Sequence, residues 1–474
     1  FNKQFIFSSE IKGILAYGVK KELCRKTLKD FLNNGLIDHS ENTLFKNIYQ
    51  LEPGNYLKIK SNGDISKIKY WDLKNKVSEN YENLKNKSKD FLLNKYHELL
   101  NDSLNIELRS DVEIGTTLSS GFDSSMLTYM IKKKINKFST FTYGFNNNKD
   151  ETYYSKKVSK NLNLKNYTSK LSENEFGSYL SKVISSQEAP ITSIRVMAMH
   201  KMYEAVKEKG IKVILEGQGG DELGAGYEYY YAPLFLDLLK STNNYSASFN
   251  QIQKLLKLYK SINPKNQYER LFNSLMYVLR PGIATQDGVP FVNHDVFNKN
   301  FVNLKNNYSI SYGFNSNVRS MQLIDIEKII LPRGLRFVDR ASMASSVETR
   351  VPLLDHRLAE FSLALPNELK ITENETRFFM KSFLKNKKDR DFCKKVLKQK
   401  KTIVDPQKSW LRNDKNNLVK DLLNSSEIYK DHEIFDKKKL LKEYSNFKKN
   451  KNYQTSFHIF QYINTIMFLK NFFY

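Results

Sequence analysis

Glu113-Ile114-Gly115-Thr116-Thr117-Leu118 runs directly into Ser119-Ser120-Gly121-Phe122-Asp123-Ser124-Ser125, after which Met126, Leu127, Met130 and Ile131 follow at helical spacing. The first run predicts a buried strand, the small residues a loop, and the spacing beyond them a helix. A second strand, Ser139 to Phe145, begins after a connection long enough for a right-handed crossover helix, which predicts a parallel neighbour. Lys212-Val213-Ile214-Leu215 is a third strand of this type and again ends in a glycine loop, Glu216-Gly217-Gln218-Gly219-Gly220-Asp221-Glu222. The expected fold class is therefore α/β, a doubly wound parallel sheet. From about Tyr227 onward the pattern is mostly helical, with no tandem repeat.

Upstream, Phe91 to Leu108 carries apolar residues at 92, 93, 96, 99, 100 and 104, one face of a helix. Lys74 to Lys89 is rich in Lys, Asn, Ser and Glu, which predicts a linker over 76–90. Before it, Gln4 to Ser8 is apolar and Glu10 to Tyr17 helical in pattern. Pro53-Gly54-Asn55 turns into Tyr56-Leu57-Lys58-Ile59, and Ser61-Asn62-Gly63-Asp64 signals a hairpin. The expected division is a small, mainly antiparallel β unit over 1–75, the linker, and a large unit over 91–474.

Composition bounds the function. The chain has 474 residues, 40% of them apolar and 13% aromatic, and no run of 18 apolar residues, so a globular protein is expected rather than disorder or a membrane span. Gln461, Asn464, Lys470 and Asn471 interrupt the apolar stretch Ile459 to Tyr474, which predicts a packed terminal helix rather than an anchor. Two cysteines, Cys24 and Cys393, build neither a disulfide framework nor a four-thiolate zinc site, and a reducing cytoplasm is the expected location. The net charge of +25 comes from lysines scattered among asparagines, as in Asn83 to Lys89 and Asn446 to Asn452. It is read as solubility and steering rather than as a nucleic-acid face.

The two loops carry the chemistry. A small-residue loop opening a helix exposes backbone N–H groups at the positive end of the helix dipole, and Ser119, Gly121, Ser124 and Ser125 allow close approach of phosphate. Asp123 would repel a bare phosphate, so the loop suits a Mg²⁺-bound polyphosphate. The Gly-Lys-Ser/Thr ending of a Walker loop is missing. In an open parallel sheet both loops emerge beyond the carboxyl ends of the strands, which lets Asp221 face Asp123 across one metal. Alternatively, Asp221 and Glu222 cap the following helix.

The segment Ser119 to Ser125 resembles the pyrophosphate loop of N-type ATP pyrophosphatases, and nearly the whole chain resembles the glutamine-hydrolysing asparagine synthetases. Agreeing in order are Thr140-Phe141-Thr142-Tyr143-Gly144-Phe145 with Asp150-Glu151, then Gly217 to Glu222, then Val338-Asp339-Arg340-Ala341-Ser342-Met343-Ala344 with Glu348, Arg350, Pro352 and Asp355. Lys398-Gln399-Lys400 with Pro406 and Trp410 follow. The resemblance implies that ATP adenylates a carboxylate with release of pyrophosphate, and that ammonia, free or from glutamine, then gives the amide. It places Ser119, Gly121, Asp123 and Ser124 on pyrophosphate and Leu118, Tyr143, Glu216 and Gly217 around adenine and ribose, largely through backbone. Asp123 and Asp221 share Mg²⁺, and Lys400 stabilises charge on the α-phosphate and leaving pyrophosphate. Glu348 and Arg350 either contact substrate or form a structural ion pair.

Residues 1 to 72 resemble only the last part of the family's glutaminase domain, through Phe7 to Lys12, Pro53-Gly54 and Tyr70-Trp71. The family's glutamine-cleaving nucleophile is an N-terminal cysteine, a place that neither Cys24 nor Cys393 holds. The chain as given is expected to be a fragment of a longer protein or to take ammonia directly. Ser120 replaces a common glycine, and Gln218 stands near the acyl-adenylate where the family usually has glutamate. The acceptor thus stays open between aspartate and another carboxylate such as a cell-surface sugar acid. A tRNA-modifying relative and a non-catalytic subunit are the readings from other classes, and a homodimer stays open as the assembly.

Overall fold

In a computed structural model the chain is described over residues 4–119, 121–145, 151–240, 295–304, 313–382, 405–415, 417–425, 433–450 and 456–474, with short pieces between 250 and 290 and at 428–429. The strands are β1 (Asn55–Ile59), β2 (Ile65–Lys69), β3 (Ile114–Thr117), β4 (Ser139–Phe145), β5 (Lys165–Leu171), β6 (Val213–Leu215), the short pair β7 (Thr285–Gln286) and β8 (Val289–Pro290), and β9 (Glu348–Arg350). Five of them form one sheet in the order β5-β4-β3-β6-β9, every pairing parallel.

The sheet is covered on both faces, and the strand residues show why. Val213 and Leu215 join a core with Leu100, Met126 and Leu127, whereas Ile214 between them points to the other face with Met202, Tyr203 and Val338. This period-two alternation between two apolar layers is what a doubly wound sheet requires. The first layer uses α4 (Lys89–Glu107) and α5 (Phe122–Lys134); the second uses α8 (Ile194–Glu208) and the helix Leu331–Met343. The expected helix over Phe91 to Leu108 is α4, with Leu92, Tyr96, Leu100 and Leu104 buried along one stripe.

The N-terminal part is more helical than its sequence suggested. The hairpin β1–β2 forms antiparallel as expected, with Gly63 at φ 90° in its turn, but Gln4 to Ser8 is not a strand. Helix α1 (Ile11–Ala16) lies where Glu10 to Tyr17 reads as helical, and α2 (Arg25–Asn34) is the added helix. Leu28, Phe31 and Leu32 on α2 and the following Phe45 bury against the terminal helix Phe457–Phe473, where the Phe45 ring lies 5.4 Å from Phe472 and 5.8 Å from Phe468. That terminal helix is packed, as predicted. Its interrupting polar residues are used: Asn464 accepts the Ile191 N–H at 2.7 Å. Among the described residues no helix is long and apolar enough to cross a membrane.

The segment expected as a linker is helix for much of its length. Helix α3 spans Leu73–Leu84, capped by the Asp72 carboxylate on the Asn75 N–H, and Ser88 then caps α4. Only Leu73, Val77 and Leu84 are buried, spaced four and seven apart. Three apolar side chains on one stripe seat a helix whose other faces are polar, and composition alone hides them.

Helix Leu331–Met343 ties the N-terminal part to the sheet. Arg336 holds both Asp38 carboxylate oxygens at 3.1 Å, Arg333 donates to Gly35 O at 3.3 Å, and Arg340 to Ser9 O at 3.0 Å. From the connection before α8, buried Glu188 accepts the N–H groups of Ile11 and Lys12 at 3.1 and 2.6 Å. The 338–344 motif thus lies on the helix that joins the two parts of the chain.

Candidate active site

Strands β3 and β6 are neighbours, so the loops that follow them leave the sheet side by side. Gly217 in the second loop packs onto the start of α5 in the first: a methyl group there would stand 3.0 Å from both Asp123 C and Ser124 N. Only glycine lets the two backbones approach so closely.

The first loop closes through its own hydroxyls. The Ser119 N–H donates to Ser124 Oγ at 3.1 Å, the two hydroxyl oxygens lie 2.7 Å apart, and the Gly121 N–H donates to Ser119 Oγ at 3.0 Å. Gly121, the N-cap of α5, has no side-chain cap to offer, and the buried Ser125 hydroxyl has no partner among the described residues. A helix start with uncapped N–H groups and a hydroxyl without a partner suits an anion.

Asp123, in the first turn of α5, and Asp221, at the start of the short helix α9 (Gly220–Gly224), converge on one point. The Nη1 of Arg377 stands 2.7 Å from Asp123 Oδ2 and 2.7 Å from Asp221 Oδ1. Both carboxylates thus lie against the same cationic nitrogen. Asp123 Oδ1 is buried and has no hydrogen-bond partner among the described residues. Among the described residues no third carboxylate, histidine or cysteine joins the pair, so a metal here would take its remaining ligands from phosphate and water.

Burial raises the Asp123 carboxyl from 3.8 to about 6, with Arg377 opposing the shift. The folded chain thus holds this proton more tightly than the unfolded one. The stability it contributes is complete below pH 3.8 and is lost as pH rises through about 6. Metal binding needs the carboxylate and runs the other way. Affinity for metal-bound nucleotide is expected to be flat above about pH 7 and to fall up to about tenfold per unit below about 6. Titrations of nucleotide binding between pH 5 and 8 check this, and an acid limb near pH 4 would contradict it.

The expected nucleotide pocket is partly committed to the sheet. The Leu118 N–H donates to Phe141 O at 2.8 Å and its carbonyl accepts the Thr142 hydroxyl at 2.6 Å; the Glu216 N–H donates to Arg350 O at 2.8 Å. Neither N–H is left for adenine, so backbone recognition by these two residues has to use their carbonyl oxygens. The Glu216 side chain is buried, accepts the Tyr203 hydroxyl at 2.5 Å and the Gln218 amide at 3.3 Å, and is pushed up in pKa by burial. Gln218 is thereby aimed back at Glu216. Tyr143 lies on β4, half-buried between two core layers.

Glu348 and Arg350 form the ion pair, at 2.6 Å, and Arg350 Nη1 is also held by Glu107 O and Arg109 O at 2.7 Å each. The guanidinium is thus fastened to the end of α4, and among the described contacts none joins it to the glycine loops. Lys400 lies outside the described residues, as do Lys398, Gln399, Ser120, Asp150 and Cys393.

Two residues of the site were missed in the sequence. Glu222, read there only as a cap, is buried, accepts the Tyr227 hydroxyl at 2.6 Å, and is raised to about 7 by burial. Arg377 follows Asp123 by 254 positions and sits in no motif. The sole signal was indirect, since two facing carboxylates need a cation.

A family model described as asparagine synthase matches residues 95–468, and one described as a glutamine amidotransferase domain matches residues 1–71. Asparagine synthetase (glutamine-hydrolyzing) 1 of Bacillus subtilis (strain 168) is 25% identical over 445 residues, covering 91% of this chain and 67% of that protein. Amidase chyE of Penicillium rubens is 24% identical over 470 residues, covering 90% and 68%. A putative asparagine synthetase (glutamine-hydrolyzing) 2 of Methanocaldococcus jannaschii is 29% identical over 285 residues, covering 58% and 51%. The chain thus spans about two thirds of the length of the first two.

Proposed function

The chain belongs to the asparagine synthase family, and on that premise we propose that it is an ATP-dependent, amide-forming ligase with aspartate as the first acceptor to test. The observation that carries the proposal is the meeting of Asp123 and Asp221 on one cationic group, beside a helix start that has no side-chain cap. Mg²⁺ fits there as far as the donor set goes: two carboxylates, with room in its shell for phosphate oxygens and water. Bound between them, it would neutralise charge on the polyphosphate.

In the first step an acceptor carboxylate oxygen bonds to the α-phosphorus and the bond to the bridging oxygen breaks, releasing pyrophosphate. Ser119, Gly121 and Ser124 hold the leaving group, Lys400 serves to stabilise its growing charge, and Leu118, Tyr143, Glu216 and Gly217 enclose the nucleoside. In the second step ammonia, free or supplied from glutamine, attacks the acyl carbon, AMP departs and a proton is lost. Gln218 lies near the acyl group as a neutral hydrogen-bonding side chain. A cytoplasmic place suits these small, charged substrates.

One observation favours a second acceptor. Gln218 carries no charge and is turned onto Glu216, and one relative with similar coverage is named an amidase, so another small carboxylate, such as a sugar acid, is the alternative. Pyrophosphate release from ATP and Mg²⁺ with ammonium, across aspartate and a panel of other acids, tests both. Release requiring aspartate and yielding asparagine supports the first; release with a different acid alone moves the substrate; release with none rejects the proposal.

A further inference from the structure

Arg377 occupies the position that a divalent cation would take. Its Nη1 contacts both carboxylates at 2.7 Å, and it is buried, with its own Nε left without a partner among the described residues. Its backbone sits at φ 57°, a conformation that a bulky side chain adopts only when its surroundings impose it. The surroundings are cut to fit. A methyl group on Gly224 would stand 2.6 Å from Arg377 Cγ, and one on Gly226 would stand 2.9 Å from Arg377 Cδ and 2.0 Å from Asp221 Oδ1. The ring of Phe122 lies 5.1 Å from the guanidinium on another side.

A guanidinium cannot shed its charge, so a free divalent cation approaching this site meets two carboxylates already paired. Polyphosphate changes the balance, because its oxygens offer the same fork of N–H groups a bidentate partner. The geometry points to Arg377 as an internal cation that holds Asp123 and Asp221 together until polyphosphate arrives, then transfers to the phosphate and leaves the carboxylates to the metal. The site would thus take nucleotide and metal together and bind metal alone poorly. This deepens the ATP-dependent reading above and rests on it.

Calorimetric titration of the nucleotide-free chain with Mn²⁺ tests it, together with pyrophosphate titration in EDTA and MgATP titration as a separate measurement. Arg377→Met is expected to bind Mn²⁺ at least about tenfold more tightly than the wild type and to bind metal-free pyrophosphate at least about tenfold more weakly, with Arg377→Lys between them. Adding Asp221→Asn to Arg377→Met should remove the gained Mn²⁺ site. Equal Mn²⁺ affinities in folded wild type and variant, with MgATP still binding, overturn the inference alone. Absence of MgATP binding in the wild type overturns the functional reading and the inference with it. If both Arg377 variants fail to fold, the wild type decides: tight Mn²⁺ binding without nucleotide, lost in Asp221→Asn, contradicts the inference, and pyrophosphate binding in EDTA without Mn²⁺ binding supports it.

Discussion

Replacing Asp123 by alanine is expected to lower acceptor-dependent pyrophosphate release by at least about 10³-fold while leaving the chain folded. Among the described residues the carboxylate is one of two at the proposed metal position, and Asp221 alone gives a single anchor. Its removal also leaves Arg377 with one carboxylate, so the loop would be held less firmly before nucleotide binds. Stability should change little or rise at neutral pH, because burial makes the ionised Asp123 unfavourable in the fold, and loss of its ion pair to Arg377 offsets that gain. Pyrophosphate release set beside a thermal melt separates the two effects. Activity within a few-fold of the wild type would remove Asp123 from the mechanism.

Gly220→Ala is expected to cost about 10²-fold in the same assay. Gly220 is the first residue of α9, and an added methyl group would stand 2.4 Å from Asp123 Oδ1 and 2.5 Å from its Cγ. The carboxylate has to move to admit it. Alanine is otherwise a better helix former than glycine by about 1 kcal/mol, so the fold is not expected to suffer. The signature is therefore loss of activity with an unchanged or raised melting temperature. A parallel drop in both would show that the glycine serves the fold alone, and unchanged activity would show that the Asp123 position does not matter.

The parts of the molecule legible in the sequence were those written in local pattern. Strand β3, its loop and α5 are contiguous, and the alternation of Val213, Ile214 and Leu215 needs only neighbouring residues, so the parallel sheet and the convergence of two glycine loops could be read directly. Patterns that were present but diluted were passed over: Leu28, Phe31 and Leu32 mark a helical face on α2, and Leu73, Val77 and Leu84 mark one on α3. Polar residues outnumber them, and their partners lie on distant elements.

Long-range contacts were illegible. Arg377 reaches Asp123 across 254 positions, and no spacing rule connects them. The same holds for Arg350, whose grip on Glu107 O and Arg109 O follows from where α4 ends beside β9. The backbone bonds that engage the N–H groups of Leu118 and Glu216 depend on strand order, which put β4 and β9 beside these residues.

Adenylation requires a carboxylate oxygen to attack the α-phosphorus of ATP. The test is to supply the acceptor with both carboxylate oxygens as ¹⁸O, with ATP, Mg²⁺ and ammonium, and to weigh the nucleotide product. The adenylation reading predicts AMP carrying one ¹⁸O atom and an amide retaining one. ADP as the product, or AMP free of the label, would contradict it.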